Sequence, residues 1–372
     1  MNFRNFIGAF ADGAILFPLI AALSLQGSLP VDRLLFTAGL AYIVSGLVFR
    51  IPMPVQPLKS IAIAAVAVHA SGVEIRASGA MLGVMCLCLA FLIKNRTIEK
   101  WVRAIPVFFI RALQTALGVI LAIQGIKILL PLSLPEKIAS LAVLAVLFLF
   151  SALPLLGIFA TVGLVVGVYL NWHLGPTSVS ANPSINNDVF RPMMLATLVL
   201  PQIALTLANS VISTRDVAEH YYGPQAKRVT EVRLLASIGI GNLVAAAICG
   251  LPYCHGAGGL TAHYRGGART YHANLMIGAT LLIFAVLTHL GDPFALHYPL
   301  FLLSALLIGI GWFHFGLVRE KRESQETIKL AIVGIVAAFT QTMSWPLVAT
   351  VILTIPFLKL FGNESQKSVG VE

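Results

Sequence analysis

Residues 251–270, LPYCHGAGGLTAHYRGGART, place five glycines, two histidines and two arginines behind a proline. Residues 51–70, IPMPVQPLKSIAIAAVAVHA, combine three prolines with a glutamine and a lysine. Neither stretch begins as regular helix. Pro52, Pro54 and Pro57 lack a backbone donor, and Pro54 and Pro57 also disfavour helix at Met53 and Gln56. Residues 52–56 are therefore predicted to be extended, with Pro57 as the first helical residue. A half-helix starting there aims the free N–H groups of Leu58, Lys59 and Ser60 at one point. In the other stretch, the run Gly256, Ala257, Gly258 and Gly259 lets backbone N–H groups approach a ligand without side-chain obstruction. Two such helix starts converging on one point offer partial positive charge and unsatisfied donors, which is chemistry for holding an oxyanion.

The elements that must position these residues follow from composition. Apolar residues make up 58% of the 372 and charged residues only 11%, against roughly 25% charged in soluble domains. Apolar runs of about 20 residues, enough to cross a ~30 Å hydrocarbon core, recur from end to end. The chain reads as an all-α polytopic membrane protein, with no length left for a sizeable soluble domain and no cleavable signal evident. Fourteen segments are expected, near 6–25, 33–50, 51–70, 78–95, 104–130, 137–153, 154–173, 192–214, 231–250, 251–268, 271–290, 294–318, 326–343 and 344–361. The net charge of +10 resides in loop clusters rather than in a nucleic-acid face. Lys94, Arg96, Lys100 and Arg103 form one cluster, Arg215, Lys227, Arg228 and Arg233 a second, and Arg319, Lys321, Arg322 and Lys329 a third. An even number of crossings separates them, so all three share the cytoplasmic side. Both termini are then cytoplasmic, the polar loop 174–190 faces outward, and the protein is expected in a bacterial inner membrane. Twelve full spans with 51–70 and 251–268 as re-entrant loops would keep the same sidedness. The cysteines Cys86, Cys88, Cys249 and Cys254 lie in apolar surroundings and have neither a disulfide framework nor metal-site spacing.

The two opening stretches sit 200 residues apart, and other landmarks share a similar offset. Ile105-Pro106 opens the fifth segment as Tyr298-Pro299 opens the twelfth, and Ser151-Ala152-Leu153-Pro154 resembles Ser344-Trp345-Pro346 at the sixth-to-seventh and thirteenth-to-fourteenth junctions. With seven segments per half, the second half must be inserted upside down relative to the first. The expected organisation is an inverted repeat, residues 1–173 and 192–361. Such transporters bind substrate near the midplane at interrupted helices. Glycines in membrane helices also serve close packing, and that reading of 256–259 stays open.

Ionisable residues inside a span are costly unless paired or solvated, so each is a candidate. These are Asp12 in the first segment, Lys59 at the start of the half-helix, Arg111 in the fifth segment and His255 before the glycine run. Arg111 could instead pair with Asp12 or bind carbonyls, and His255 could be an ordinary packed histidine. Arg265 and Arg269 are accounted for by positive-inside anchoring. In the eighth segment Gln202 and Asn209 stand seven apart, on one helical face, as a site wall or a packing contact. The candidate substrate-binding set is Gln56, Lys59, Ser60, Gln202, His255, Gly256, Ala257, Gly258 and Gly259. Driving a dianion into a negative-inside cell requires co-transported cations, and Asp12 and His255 are the expected coupling groups. An intramembrane enzyme using Cys254 and His255 as nucleophile and base is the competing class. Adjacent residues of an extended segment point in opposite directions, which argues against it. No nucleotide-binding motif, cofactor site or metal site is read.

IPMPVQPLKSIA, LPQIALTLANSVI and CHGAGGLTAHYRGGART resemble the signature stretches of the molybdate transporter family, within the sulfate-permease-like superfamily, and the order of spans agrees along most of the chain. The resemblance implies a core domain (6–95 plus 192–290), a gate domain (104–173 plus 294–361), an elevator-like cycle, often a homodimer, and no C-terminal regulatory domain. It implies molybdate as substrate, with sulfate or tungstate as the alternative cargo of a sulfate-type or other anion permease of the same fold, and the lipid bilayer as surroundings. The family usually has Gly-Asp-Leu-Gly and then a hydroxyl residue in the first segment. This chain has Ala11-Asp12-Gly13-Ala14-Ile15, which keeps the acid and loses the hydroxyl.

Overall fold

The computed structural model describes residues 3–93, 106–150, 153–174, 190–317 and 324–364. The loop 174–190, the first basic cluster, Arg319, Lys321 and Arg322 of the third, and the Ser151-Ala152 junction lie wholly or mostly outside the described residues.

Helices dominate. In chain order they are α1 (Phe3–Phe10), α2 (Gly13–Ser24), α3 (Val31–Phe49), α4 (Lys59–Val68), α5 (Gly72–Leu92), α6 (Val107–Leu129), α7 (Leu134–Phe150), α8 (Leu153–Leu174), α9 (Pro192–Leu205), α10 (Thr214–Tyr222), α11 (Glu231–Ala247), α12 (Ala257–Arg265), α13 (His272–Leu290), α14 (Leu300–Leu317), α15 (Ser324–Thr340) and α16 (Ser344–Glu364). Two short strands, β1 (Gln56–Pro57) and β2 (Tyr253–Cys254), precede α4 and α12. Every expected segment coincides with helix or with a strand followed by a short helix. Among the described residues, seven helical stretches are long and apolar enough to cross a bilayer, and α4 and α12 are among the shorter ones. The exterior carries exposed large apolar side chains such as Leu149, Met193 and Phe339, a surface suited to hydrocarbon rather than water.

Two expectations need local correction. Pro57 is not the first residue of the half-helix: it lies in β1, Leu58 stays extended as the cap, and the helix starts at Lys59. The reason is strand pairing, since Pro57 sits opposite Tyr253 and Leu58 N–H donates to Pro252 O at 2.9 Å. The eighth segment is not one regular helix either. With Pro201 inside α9, residues Thr206–Ser213 open into a π-type turn before α10. The Ser213 and Thr214 hydroxyls donate to the carbonyls of Ala208 and Asn209, five residues back.

Packing between the halves follows a regular scheme. α3 lies along α13, α5 along α11, and α6 along α14. At each crossing two glycines face one another: Gly39 with Gly278, Gly83 with Gly239, and Gly118 with Gly311. A Cβ on Gly39 would stand 2.8 Å from Gly278 O, and one on Gly83 would stand 2.9 Å from Gly239 O. Only the smallest side chain permits that approach, and close backbone contact is how helices gain dispersion energy in lipid.

Candidate anion-binding site

The non-helical stretches would be untenable in hydrocarbon unless their backbone groups found partners. β1 and β2 pair antiparallel, Gln56 opposite Cys254 and Pro57 opposite Tyr253. Two asparagines complete the pairing. Asn274 of α13 accepts from Met53 N–H at 2.9 Å and donates to Met53 O at 2.7 Å. Asn242 of α11 does the same for Tyr253, accepting at 2.9 Å and donating at 2.7 Å. Each side-chain amide stands in for a neighbouring strand. Sequence reasoning missed both, because a lone Asn in an apolar helix carries no sign of which backbone it faces.

Antiparallel pairing sends α4 and α12 away in opposite directions from a shared starting point. A cavity opens there, lined by Lys59, Gln202, Asn209, Ser210, Cys254 and Gly258 from this side, with Ile15 and Leu205. The opposite wall is Gln114 and Leu117 of α6 and Phe313 and His314 of α14. An adjoining recess contains Asp12, Gly258 and Phe313 among its lining residues.

Among the described residues, no hydrogen bond or ion pair takes up the Lys59 ammonium. Gln202 Oε1 accepts from Ser60 N–H at 2.9 Å, capping α4, while its Nε2 donates to Thr206 Oγ1 at 3.1 Å. The Ser60 hydroxyl is buried off the cavity lining and has no hydrogen-bond partner among the described residues. Gln202 and Asn209 both reach the cavity, but across the π-type turn rather than along one regular helical face. His314 enters from α14, with its Nδ1 2.8 Å from Ile310 O. No sequence signal had singled out His314 or Gln114.

The glycine run divides by role. Gly256 caps α12 in an extended conformation, and Ala257 is the first helical residue. A Cβ on Gly258 would meet nothing within 4 Å, whereas one on Gly259 would collide with Asp12, Gln56 and Pro54. Gly258 thus borders open space, and Gly259 is a close-packing position.

Asp12 stands in the break between α1 and α2, 1% exposed. Its Oδ2 accepts from Tyr42 OH at 2.6 Å, and its Oδ1 accepts from Gln56 Nε2. Gln56 is therefore tied to the acid rather than to the cavity, and its Oε1 is buried without a partner. His255 is not in the cavity lining. Its Nδ1 is 2.8 Å from Pro54 O, and its Nε2 is 2.9 Å from Ser237 Oγ. A carbonyl only accepts, so Nδ1 carries a proton, and with Nε2 on the serine hydroxyl the ring is hydrogen-bonded at both nitrogens and ties the two extended stretches together. Cys254 reaches the cavity while its neighbour does not, so the two cannot act as nucleophile and base. Arg111 is not Asp12's partner: its guanidinium is 3.0 Å from Glu326 of α15, both side chains being 23% exposed. The acid is already occupied by Tyr42 and Gln56, which removes the reason for that pairing.

Taken together, one unpartnered ammonium, amide, hydroxyl and thiol groups, and a helix start with open space beside it surround a single recess. That set can hold an anion by charge-assisted hydrogen bonds. The comparisons with known proteins agree. "Molybdate transporter 2" of Arabidopsis thaliana is 27% identical over a 363-residue alignment spanning 82% of this chain and 76% of that protein. "Molybdate transporter 1" of the same organism is 25% identical, spanning 82% and 77%. The fold is similar to the transmembrane domain of a cyanobacterial bicarbonate transporter, BicA, with a TM-score of 0.63 at 18% identity over 94% of this chain and 98% of that one. It is also similar to the murine anion transporter Slc26a9, with a TM-score of 0.63 at 16% identity over 96% and 69%. These relatives are transporters, and the chain is an integral membrane protein with an anion-transporter fold. The family described as "Molybdate transporter of MFS superfamily" matches residues 4–121 and 194–313, and the chain belongs to that molybdate transporter family.

Proposed function

We propose that the chain is a secondary active transporter that imports molybdate, coupled to protons, through a site between the starts of α4 and α12. The observation that carries this is Lys59, an ammonium without a hydrogen-bond or ion-pair partner among the described residues, on the wall of the cavity. An uncompensated charge away from water costs several kcal/mol, at least about the size that an incoming anion would return. Gln202, Asn209, Ser210 and the backbone at Gly258 line the same cavity and complete the donor set. Both molybdate and sulfate are tetrahedral dianions, so size must separate them, and the space beside Gly258 suits the larger ion.

Fourteen segments in an inverted repeat fit the same reading. The facing glycines relate by the sequence offset of the repeat: Gly39 to Gly239, Gly83 to Gly278, and Gly118 to Gly311, by 200, 195 and 193 positions. The helix pairs carrying them exchange into one another when the halves are swapped. A core (6–95 plus 192–290) moving against a gate (104–173 plus 294–361) accounts for a cavity with Lys59 and Gly258 on one wall and Gln114 and His314 on the other. Import toward cytoplasmic termini rests on the basic clusters.

Purified protein in liposomes tests the assignment by uptake of labelled molybdate in competition with tungstate, sulfate and a nucleobase. Accumulation against a gradient, suppressed by tungstate more than by sulfate, is the expected result. If excess sulfate competes as well as tungstate, the chain is a general sulfate-type permease instead.

A further inference from the structure

His263 is fully buried on α12, and its two ring nitrogens have opposite fates. Nδ1 is 2.7 Å from Gly8 O. A carbonyl oxygen only accepts, so Nδ1 is protonated. Nε2 is buried and has no hydrogen-bond partner among the described residues, and it stands 3.9 Å from Asp12 Oδ2. A neutral ring would therefore point a lone pair at a carboxylate oxygen, two acceptors facing each other with both side chains buried. Asp12 cannot relieve this cheaply by taking the proton itself. Each of its two oxygens already accepts a hydrogen bond, from Tyr42 OH and from Gln56 Nε2.

We propose that Nε2 of His263 carries a proton, making an imidazolium–carboxylate pair with Asp12, and that this pair, not His255, is the proton-carrying site of the transport cycle. The coupling half of this proposal rests on the transport reading above; the location of the proton does not. Asp12 lines the recess beside Gly258, so a proton held there lies next to the anion cavity. The titratable groups facing the pair are Tyr42 from α3, Lys59 from α4 and Cys254 from β2. The element α1 contributes the Gly8 carbonyl and α8 the apolar Leu156. The step is a proton binding to the Nε2 lone pair from the outer side and leaving it to the inner side. No covalent bond other than N–H forms or breaks. One proton carried with a dianion leaves a single negative charge to be moved against the membrane potential. His255 differs in having no carboxylate before it: its nitrogens meet Pro54 O and Ser237 Oγ.

The test uses the full-length protein in lipid nanodiscs with ring-¹⁵N histidine. The resonances lost in His263→Gln belong to His263. They are expected to report two protonated nitrogens near neutral pH, and in Asp12→Asn to revert to a neutral ring protonated at Nδ1. A neutral ring in the wild type, or a signal indifferent to Asp12→Asn, overturns the pair. Should His263→Gln not fold, the histidine signal that moves in Asp12→Asn supplies the assignment, and Tyr42→Phe, which removes one donor from Asp12, must shift that same signal; an unmoved signal counts against the proposal. In liposomes, molybdate uptake by the wild type is expected to steepen with external acidity, by at most about tenfold per pH unit for one proton. His263→Gln should be flat, and His255→Gln should keep the slope. A steep slope in His263→Gln overturns the coupling role. Absence of any oxyanion uptake in the wild type refutes the transport reading and the coupling role, while the resonance measurement still decides where the proton resides.

Discussion

The stretches 51–59 and 251–258 solve one backbone problem with different residues. Both leave helix, pair in β1–β2 and restart as a short helix. The first is stiffened by three prolines and restarts on a lysine; the second restarts on a glycine-rich turn without charge. Each is held by one asparagine that grips a single residue through both its N–H and its C=O. The difference lies in what each delivers to the cavity, a charge from one side and free space from the other. A cation at a helix N-terminus opposes the helix dipole, by roughly 0.3–1 kcal/mol. Lys59 is thus locally unfavourable, and an anion bound beside it would offset that.

Substitutions can break or sharpen this contrast. The largest effect is expected at Lys59: Lys59→Ala should weaken apparent oxyanion affinity by about 10- to 100-fold, the worth of one charge-assisted contact, with monodispersity unchanged. Concentration-dependent uptake in liposomes reads this directly, and wild-type affinity in that variant would sink the assignment of the charge. Next come the two glycines, which should respond in opposite ways. Gly259→Ala forces a methyl group onto Asp12, Gln56 and Pro54, at a cost of about 1–3 kcal/mol, seen as a lower melting temperature. Gly258→Ala fits the open space. It should melt like the wild type and reduce molybdate uptake more than sulfate uptake. Equal loss of both ions from a well-folded Gly258→Ala would show that the space does not select by size.

The clamps should give comparable, smaller shifts. Asn242→Ala and Asn274→Ala each leave a buried backbone N–H unpaired, at about 1–3 kcal/mol. Thermal unfolding of both variants in detergent checks the parity; a marked inequality would mean that the stretches are not equivalently supported. Smallest of all is Arg111→Gln. Its pair with Glu326 is partly exposed, so about 1 kcal/mol at most is expected, with uptake retained. A transport-dead but stable Arg111→Gln would move Arg111 into the mechanism.

Much of the fold was legible because the signals are local. Apolar runs marked the segments, and Pro52, Pro54 and Pro57 marked a stretch that cannot be helix, wherever it packs. Lys59 and Gly258 were legible as cavity residues for a related reason, since each adjoins a predicted helix break, and Gln202 because an amide stands out in an apolar segment. Other residues resisted. Gln56 and Gly259 belong to the support of Asp12, and His255 ties two strands together. Each carries the same residue type it would have in a binding site. Asn242, Asn274, Gln114 and His314 had no distinguishing neighbours in sequence, because their partners come from segments far along the chain.

By itself, then, the sequence determined where helix must stop and restart, because a missing N–H in proline and a missing Cβ in glycine act within one or two residues. It also determined that charge inside the apolar segments is scarce and therefore in need of a partner. Only the tertiary structure decided which partner each charge has: Glu326 for Arg111, Tyr42 and Gln56 for Asp12, and none among the described residues for Lys59. The same holds for the histidines, one satisfied at both nitrogens and the other left with an unpaired nitrogen facing an acid. Electrostatic and hydrogen-bond energies depend on distances of a few ångströms between segments up to some 250 residues apart, and no local pattern carries those distances.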